Sequence, residues 1–418
     1  MHAFRAATVR ERTSTSGTDT RPLVAVFQMA SAGVGGVQHV TANVLPHLRD
    51  RFRFLVIDLY EHPDFAALLD RAGLERVSLG RAPARRWIGG KGSLWRPFLL
   101  LGRAPWTLLR MERWRRWIRR ERPAVIYFNQ LAVARVFGWA VPRGAASLVL
   151  HAHGASGPRM VGVRTARWLN RRFQKVLAVS RITARFYEQA GVSSDRIQVI
   201  YNAVDVPGLQ RAARESGPPL PAKPPGAVVF VHVAAITPHK KAQHVGVDAL
   251  AELPPDVPAH LWICGDVPDG GDHDYLQKIR SKVKRSGLTD RVHFLGWRRD
   301  VPRVLQAADA CILPSIDDSE SFGMVLAEAM ALGKPCIGTT RGGVPEVIEN
   351  GVTGIVCEPT AAKFGRAMLR LATSPELRES MGRAGRERVE ACFALDRQVR
   401  ELGEALAEAA GLQARRPR

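Results

Sequence analysis

The chain has few cysteines, few acidic residues in its first half, no long apolar run and no leader-like start. Its five cysteines among 418 residues, at positions 264, 311, 336, 357 and 392, all lie in the second half without close-pair spacing. They read as small core residues, which favours a reducing compartment over a disulfide framework and suggests no metal site. No stretch approaches a membrane span; the best candidate, Leu131 to Leu150, is interrupted by Arg135, Pro142 and Arg143. Residues 1–21 are polar and basic, lack a secretory core, and read as a loose tail. A cytoplasmic protein is expected, one that meets any membrane only from its inner surface.

With 46% hydrophobic residues, the chain is long enough for two domains, each with its own core. The net charge of +22 is uneven: residues 1–220 carry 35 Lys+Arg against 14 Asp+Glu, and the remainder 26 against 25. Much of the excess lies between Arg81 and Arg122, which holds 13 basic residues, two glutamates and five of the nine tryptophans. Within it Trp106, Leu109, Arg113, Trp114 and Trp117 recur at helical spacing, as in helices that lie on anionic bilayers. The same stripe also suits an ordinary core helix. A nucleic-acid partner would explain the charge, but no recognition-helix, zinc or single-strand signature is present.

The most informative stretch is PSIDDSESFGMVLAEAMALGKPCIGTTRGGVPE, residues 314–346. An apolar strand at Ala310 to Leu313 leads into an acidic loop, and a helix begins near Gly323. This order puts Asp317, Asp318 and Glu320 at the carboxyl end of a strand, where open α/β sheets bind ligands. The backbone N–H groups of Phe322, Gly323, Met324 and Val325 at the helix start suit a phosphate. Carboxylates beside such a seat are better placed to accept hydrogen bonds from sugar hydroxyls.

In these residues the chain resembles the retaining glycosyltransferases of family 4, glycosyl transferases group 1. Their hallmark is two glutamates separated by seven residues, matched here by Glu320 and Glu328. The likeness continues through AEAMALGKP, CIGTT, the pair Gly342 and Gly343 before VPEV, and NGVTGIVCEP. The resemblance covers roughly residues 22–410 and implies an α/β GT-B fold, two Rossmann-like domains facing a cleft, with a C-terminal helix crossing back to the first. The expected divisions are a tail at 1–21, an acceptor-side domain at 22–205, a Pro/Gly-rich linker at 206–225, a nucleotide-sugar domain at 226–394, and a crossover helix and tail at 395–418.

In the first domain, apolar runs alternating with helical segments predict a parallel sheet covered on both faces. Gly35 and Gly36 stand where a helix follows the first strand, and the resemblance makes them a cleft loop, with Gln38 where the family often has Glu. His151 and His153 end a strand at HAHG; the resemblance assigns His153 to the transferred sugar or its phosphate, while His151 can point into the fold. In the second domain a basic residue clamping the donor diphosphate falls on Lys241 or Lys240, and a second cation the family carries nearby is replaced by Ala235 or Ile236. Gly296, Trp297 and Arg298 stand where the family contacts the nucleotide base.

The implied activity is transfer of a sugar, with retention, from a nucleotide-diphosphate sugar to a glycan or lipid-linked acceptor, in cell-envelope or exopolysaccharide synthesis. The donor is a co-substrate, and neither cofactor nor metal is expected because cations and N–H groups stabilise the leaving group. A sugar-nucleotide epimerase or hydrolase, or a non-catalytic sugar-nucleotide-binding subunit, would use the same residues; acceptor-dependent turnover separates them.

Overall fold

The computed structural model describes residues 19–28, 35–58, 62–78, 104–154, 157–268 and 271–412, with side chains of the helix Ala104–Glu121 described from residue 111. Two parallel sheets organise them. The first holds β1 (Leu23–Gln28), β2 (Arg53–Asp58), β3 (Glu75–Ser78), β4 (Val125–Phe128), β5 (Ser147–Ala152), β6 (Phe173–Ala178) and β7 (Ile197–Val199), in the order β3-β2-β1-β4-β5-β6-β7. The second holds β8 (Val228–Val233), β9 (Ala259–Cys264), β10 (Val292–Gly296), β11 (Ala310–Leu313), β12 (Cys336–Thr339) and β13 (Gly354–Cys357), in the order β10-β9-β8-β11-β12-β13. In both sheets the order reverses beside the first strand, which places ligand sites at the carboxyl ends of the central strands. The chain divides into two compact units, residues 1–149 with 406–418, and residues 150–405.

In the first unit, β1 is buried along its whole length, as the apolar run from Leu23 to Phe27 requires of a central parallel strand, with Gln28 its one polar residue. Phe27 packs against Phe128 at 5.1 Å, Phe137 at 5.4 Å and, edge-on, Trp114 at 4.3 Å. Trp114 is fully buried and stacks on Trp117. The aromatic face of the helix Ala104–Glu121 is therefore taken up by its own sheet at Trp114, with Trp117 half-buried against it. Its exposed face carries Arg113, Arg116, Arg119 and Arg120. Trp87, Trp95 and the Trp106 side chain lie outside the described residues.

Gly35 caps the helix Gly36–Val44 with extended backbone, and its N–H donates to Gln38 Oε1 at 2.9 Å. The glutamine thus reaches back to cap the helix start, as a glutamate would. The stretch Leu131 to Leu150 breaks into the helix Leu131–Phe137, a short 3-10 turn and β5. No described helix is long and apolar enough to cross a membrane.

In the second unit the inner strands are apolar on both faces. Phe230 and Ile312 face one layer with Leu250 and Phe364, while Val231 and Leu313 face the other with Leu326 and Met330. The expected linker opens with a helix, Val206–Ala212, capped where Asp205 accepts from Gly208 N–H at 3.0 Å. Its later prolines are pinned: Arg298 and Arg303 each donate to the Pro218 carbonyl at 2.7 Å. Arg298 also pairs with Asp300.

Candidate functional site

β11 ends at Leu313 and the acidic loop follows. Two of its three carboxylates are engaged by the protein's own donors: Asp317 accepts from the Ser319 N–H and hydroxyl inside the loop, and Asp318 from Gly342 N–H at 3.1 Å. Both carboxylates therefore already serve the protein's own backbone and hydroxyl donors. The loop is clasped from behind by the glycine pair, where Gly343 N–H donates to the Glu320 carbonyl at 2.7 Å. A Cβ on Gly342 would lie 2.2 Å from the Glu320 carbonyl oxygen, and one on Gly343 2.1 Å from that of Ser321, so only glycine permits the approach.

Gly323, at φ +91°, then turns the chain into the helix Met324–Ala331, whose first turn has no side-chain cap. Its leading N–H groups are available to an anion. Phe322 contributes backbone only, since its ring is buried against Phe393 at 5.2 Å and Tyr201 at 6.1 Å. One turn into the helix stands Glu328, half-buried, with no hydrogen-bond or ion-pair partner among the described residues. Burial pushes its carboxyl up from the ordinary 4.5 to about 7.

The turn after β8 sets the two lysines differently. Ile236 N–H donates to the Asp266 carbonyl at 2.9 Å, and buried Gln243 holds the Ala235 carbonyl at 3.0 Å. Ala242 takes a left-handed conformation, φ +46°, which is costly for a residue with a Cβ. This turn aims Lys241 at Glu320, with which its ammonium pairs, while the Lys240 side chain is exposed and its carbonyl accepts from Ile316 N–H. Ser315 Oγ lies 3.5 Å from the same Glu320 oxygen.

His153 follows the last residue of β5, and its ring lies 4.1 Å from that of His151. Strand alternation carries past Ala152, so both rings share a face, and His151 is buried beneath His153. Burial lowers His153 to about 3, and His151, also opposed by His153, falls well below its ordinary value. Both are neutral at physiological pH, suited to hydrogen bonding and not to carrying charge. The next residue, Gly154, faces the acidic loop, where a Cβ would meet Ser321 Oγ at 3.5 Å. His153, Glu320, Lys241 and the open helix start thus belong to one neighbourhood of the second unit. Gly296 ends β10 at φ +66°, and Trp297 beyond it is 59% exposed with Arg299 over its ring. Among the described residues no group of His, Cys, Asp or Glu could hold a metal ion.

Sequence reasoning missed Glu346. Its carboxylate accepts from Arg181 N–H at 2.7 Å, Ile182 N–H at 2.8 Å and the Tyr201 hydroxyl at 2.9 Å. Burial, and then this carboxylate, push Tyr201 up to about 12. The only local signal is its place at the end of GGVPE; partners 145 to 165 residues away leave none.

Two Rossmann-like parallel sheets, with a phosphate-suited helix start at the carboxyl edge of the second, define a GT-B protein. The family model for glycosyl transferases group 1 matches residues 218–388 and that for glycosyltransferase family 4 matches residues 34–206. The chain belongs to this family of glycosyltransferases. It is 39% identical over 163 residues to the N-acetyl-alpha-D-glucosaminyl L-malate synthase of Bacillus anthracis, covering 38% of this chain and 40% of that protein. It is 28% identical over 229 residues to the alpha-1,3/1,6-mannosyltransferase of Homo sapiens, 52% of this chain and 54% of that one. The matches thus span only about half, or less, of those relatives' lengths. Among solved structures, Alr3699/HepE of Anabaena in complex with UDP and glucose superposes with a TM-score of 0.74 at 23% identity, over 93% of this chain and 100% of that one. At that identity the likeness speaks for the fold.

Proposed function

We propose that the protein transfers a sugar from a nucleotide-diphosphate sugar to a glycan or lipid-linked acceptor with retention of anomeric configuration, in cell-envelope or exopolysaccharide synthesis. The observation that carries this reading is the convergence of Lys241, Glu320, the uncapped helix start at Gly323 and unpartnered Glu328 on one loop and helix. Lys241 and the N–H groups of Met324 and Val325 take the diphosphate, stabilising charge as it leaves. Glu328 accepts from the ribose hydroxyls, Glu320 from the sugar hydroxyls, and neutral His153 holds the sugar near its reacting carbon. Gly296 and Trp297 flank the base. The bond from anomeric carbon to phosphate oxygen breaks as the acceptor oxygen bonds on the same face, and the acceptor's proton passes to the departing phosphate.

Support for a membrane-linked acceptor comes from the arginine face of Ala104–Glu121, which suits an anionic inner-membrane surface approached peripherally. Thermal shift against UDP-, GDP- and ADP-sugars tests the donor reading: one class raises the melting temperature, and Glu328→Ala loses the rise. No rise with any donor would sink it. Turnover that depends on added acceptor distinguishes transfer from epimerisation or simple binding, and inverted product by NMR would exclude the same-face mechanism.

A further inference from the structure

Lys241 is held by Glu320, the carboxylate that in the proposed reaction also holds the sugar. The two side chains are 28% and 14% exposed, so the pair is partly desolvated, and leaving one charge there without its partner costs more than at the surface. A ligand that takes Lys241 for its phosphates leaves Glu320 without its cation. Among the described residues the only other side chain in hydrogen-bond reach of that carboxylate is Ser315, at 3.5 Å, so the loop cannot replace the lost charge.

An intact nucleotide-sugar resolves this conflict, because its phosphates take Lys241 while its sugar hydroxyls donate to Glu320. A nucleoside diphosphate brings phosphates alone. Its terminal phosphate also ionises once more, with a second pKa of about 6, so a plain lysine clamp would hold the spent product more tightly than the donor. We infer that the Lys241–Glu320 pair is an exchange gate selecting intact donor over nucleoside diphosphate. The product must break the pair without compensation and therefore leaves. This inference rests on the proposed donor site.

The test is titration calorimetry on the full chain with UDP, GDP and ADP, each against its glucose conjugate. Glu320→Gln keeps size and hydrogen bonding but drops the charge. It is expected to bind the nucleoside diphosphate about tenfold more tightly, as for a close charge pair removed, and the glucose conjugate no more tightly. In the Lys241→Gln background the tightening disappears, since the cation it frees is gone. Where Glu320→Gln fails to fold, Glu320→Ala, which removes the carboxylate altogether, gives the same reading. Unchanged or weaker nucleoside diphosphate binding in these variants, with donor binding intact in the wild type, overturns the gate and leaves the proposed function standing. A wild type that binds no donor overturns both.

Discussion

Two helices in the second unit begin at the carboxyl end of a parallel strand and meet opposite fates. The helix Arg181–Gln189 is closed: Ser180 caps it, and Glu346 fills the N–H groups of Arg181 and Ile182. The helix Met324–Ala331 is left open behind Gly323, with a lysine and an unpartnered glutamate beside it. Both ends carry the same partial positive charge and free donors, so the backbone does not decide which one becomes a ligand site. The difference lies in whether the chain supplies its own anion. Glu346 is that anion for the first helix; for the second, Glu320 is occupied with Lys241, and the donors remain for a phosphate.

The largest effect should follow from removing the cation at the open end. Lys241→Met is expected to lower kcat/KM by about 10²–10³-fold, the usual loss when one stabilising donor is taken from a developing charge. Steady-state kinetics decide it. A loss under tenfold would mean that the helix N–H groups hold the diphosphate by themselves, and the open end needs no cation.

Emptying the closed end comes next. Glu346→Ala strips a charged acceptor from two N–H groups and a phenol, and should cost about 2–3 kcal/mol in urea unfolding. The vacated helix start then resembles the open one, so phosphate should restore part of the stability in this variant and not in the wild type. Equal phosphate response in both proteins would erase the proposed difference between the two ends.

That contrast was only half visible beforehand. The open end was legible because strand, acidic loop, Gly323 and helix are contiguous, and the Glu320–Glu328 spacing sits on that local frame. The closed end was not, because Glu346 meets its partners across 145 to 165 residues and no local pattern encodes such a meeting. The different settings of Lys240 and Lys241 follow from the left-handed turn at Ala242, an unfavourable conformation that propensity argues against. Asp317 and Asp318 looked like ligand groups because acidity is visible in sequence and the hydrogen bonds that engage them are not. The tryptophan helix kept two readings for another reason: an apolar stripe has the same period whether it faces lipid or its own sheet.

A smaller effect sharpens the role of Glu328. A carboxyl whose folded pKa is raised to about 7 contributes stability fully present below its ordinary 4.5 and lost as pH rises through 7. Ribose hydroxyls donate to the ionised form, so donor binding favours the carboxylate and should tighten by about tenfold between pH 6 and pH 8. The donor's diphosphate diester does not titrate in that window. Glu328→Gln should show a flat profile in calorimetry, and a wild-type profile equally flat would remove Glu328 from the nucleotide seat.

The smallest effect tests the free surface charge of the first unit against the engaged charge of the second. Arg116 and Arg119 lie 3.8 and 3.9 Å from Glu112 with about two-thirds of each side chain exposed, and Arg120 is more exposed still. Ion pairs in such positions contribute little, so replacing each of the three arginines by Gln should change unfolding free energy by no more than about 0.5 kcal/mol. Their cost to the fold is small because Trp114 and Ile118, on the opposite face, carry the packing. If these arginines serve an anionic surface, the triple variant should sediment less with vesicles containing phosphatidylglycerol while its thermal shift with donor stays unchanged. Equal sedimentation would assign the arginines to solubility, and the acceptor would then have to be sought away from the bilayer.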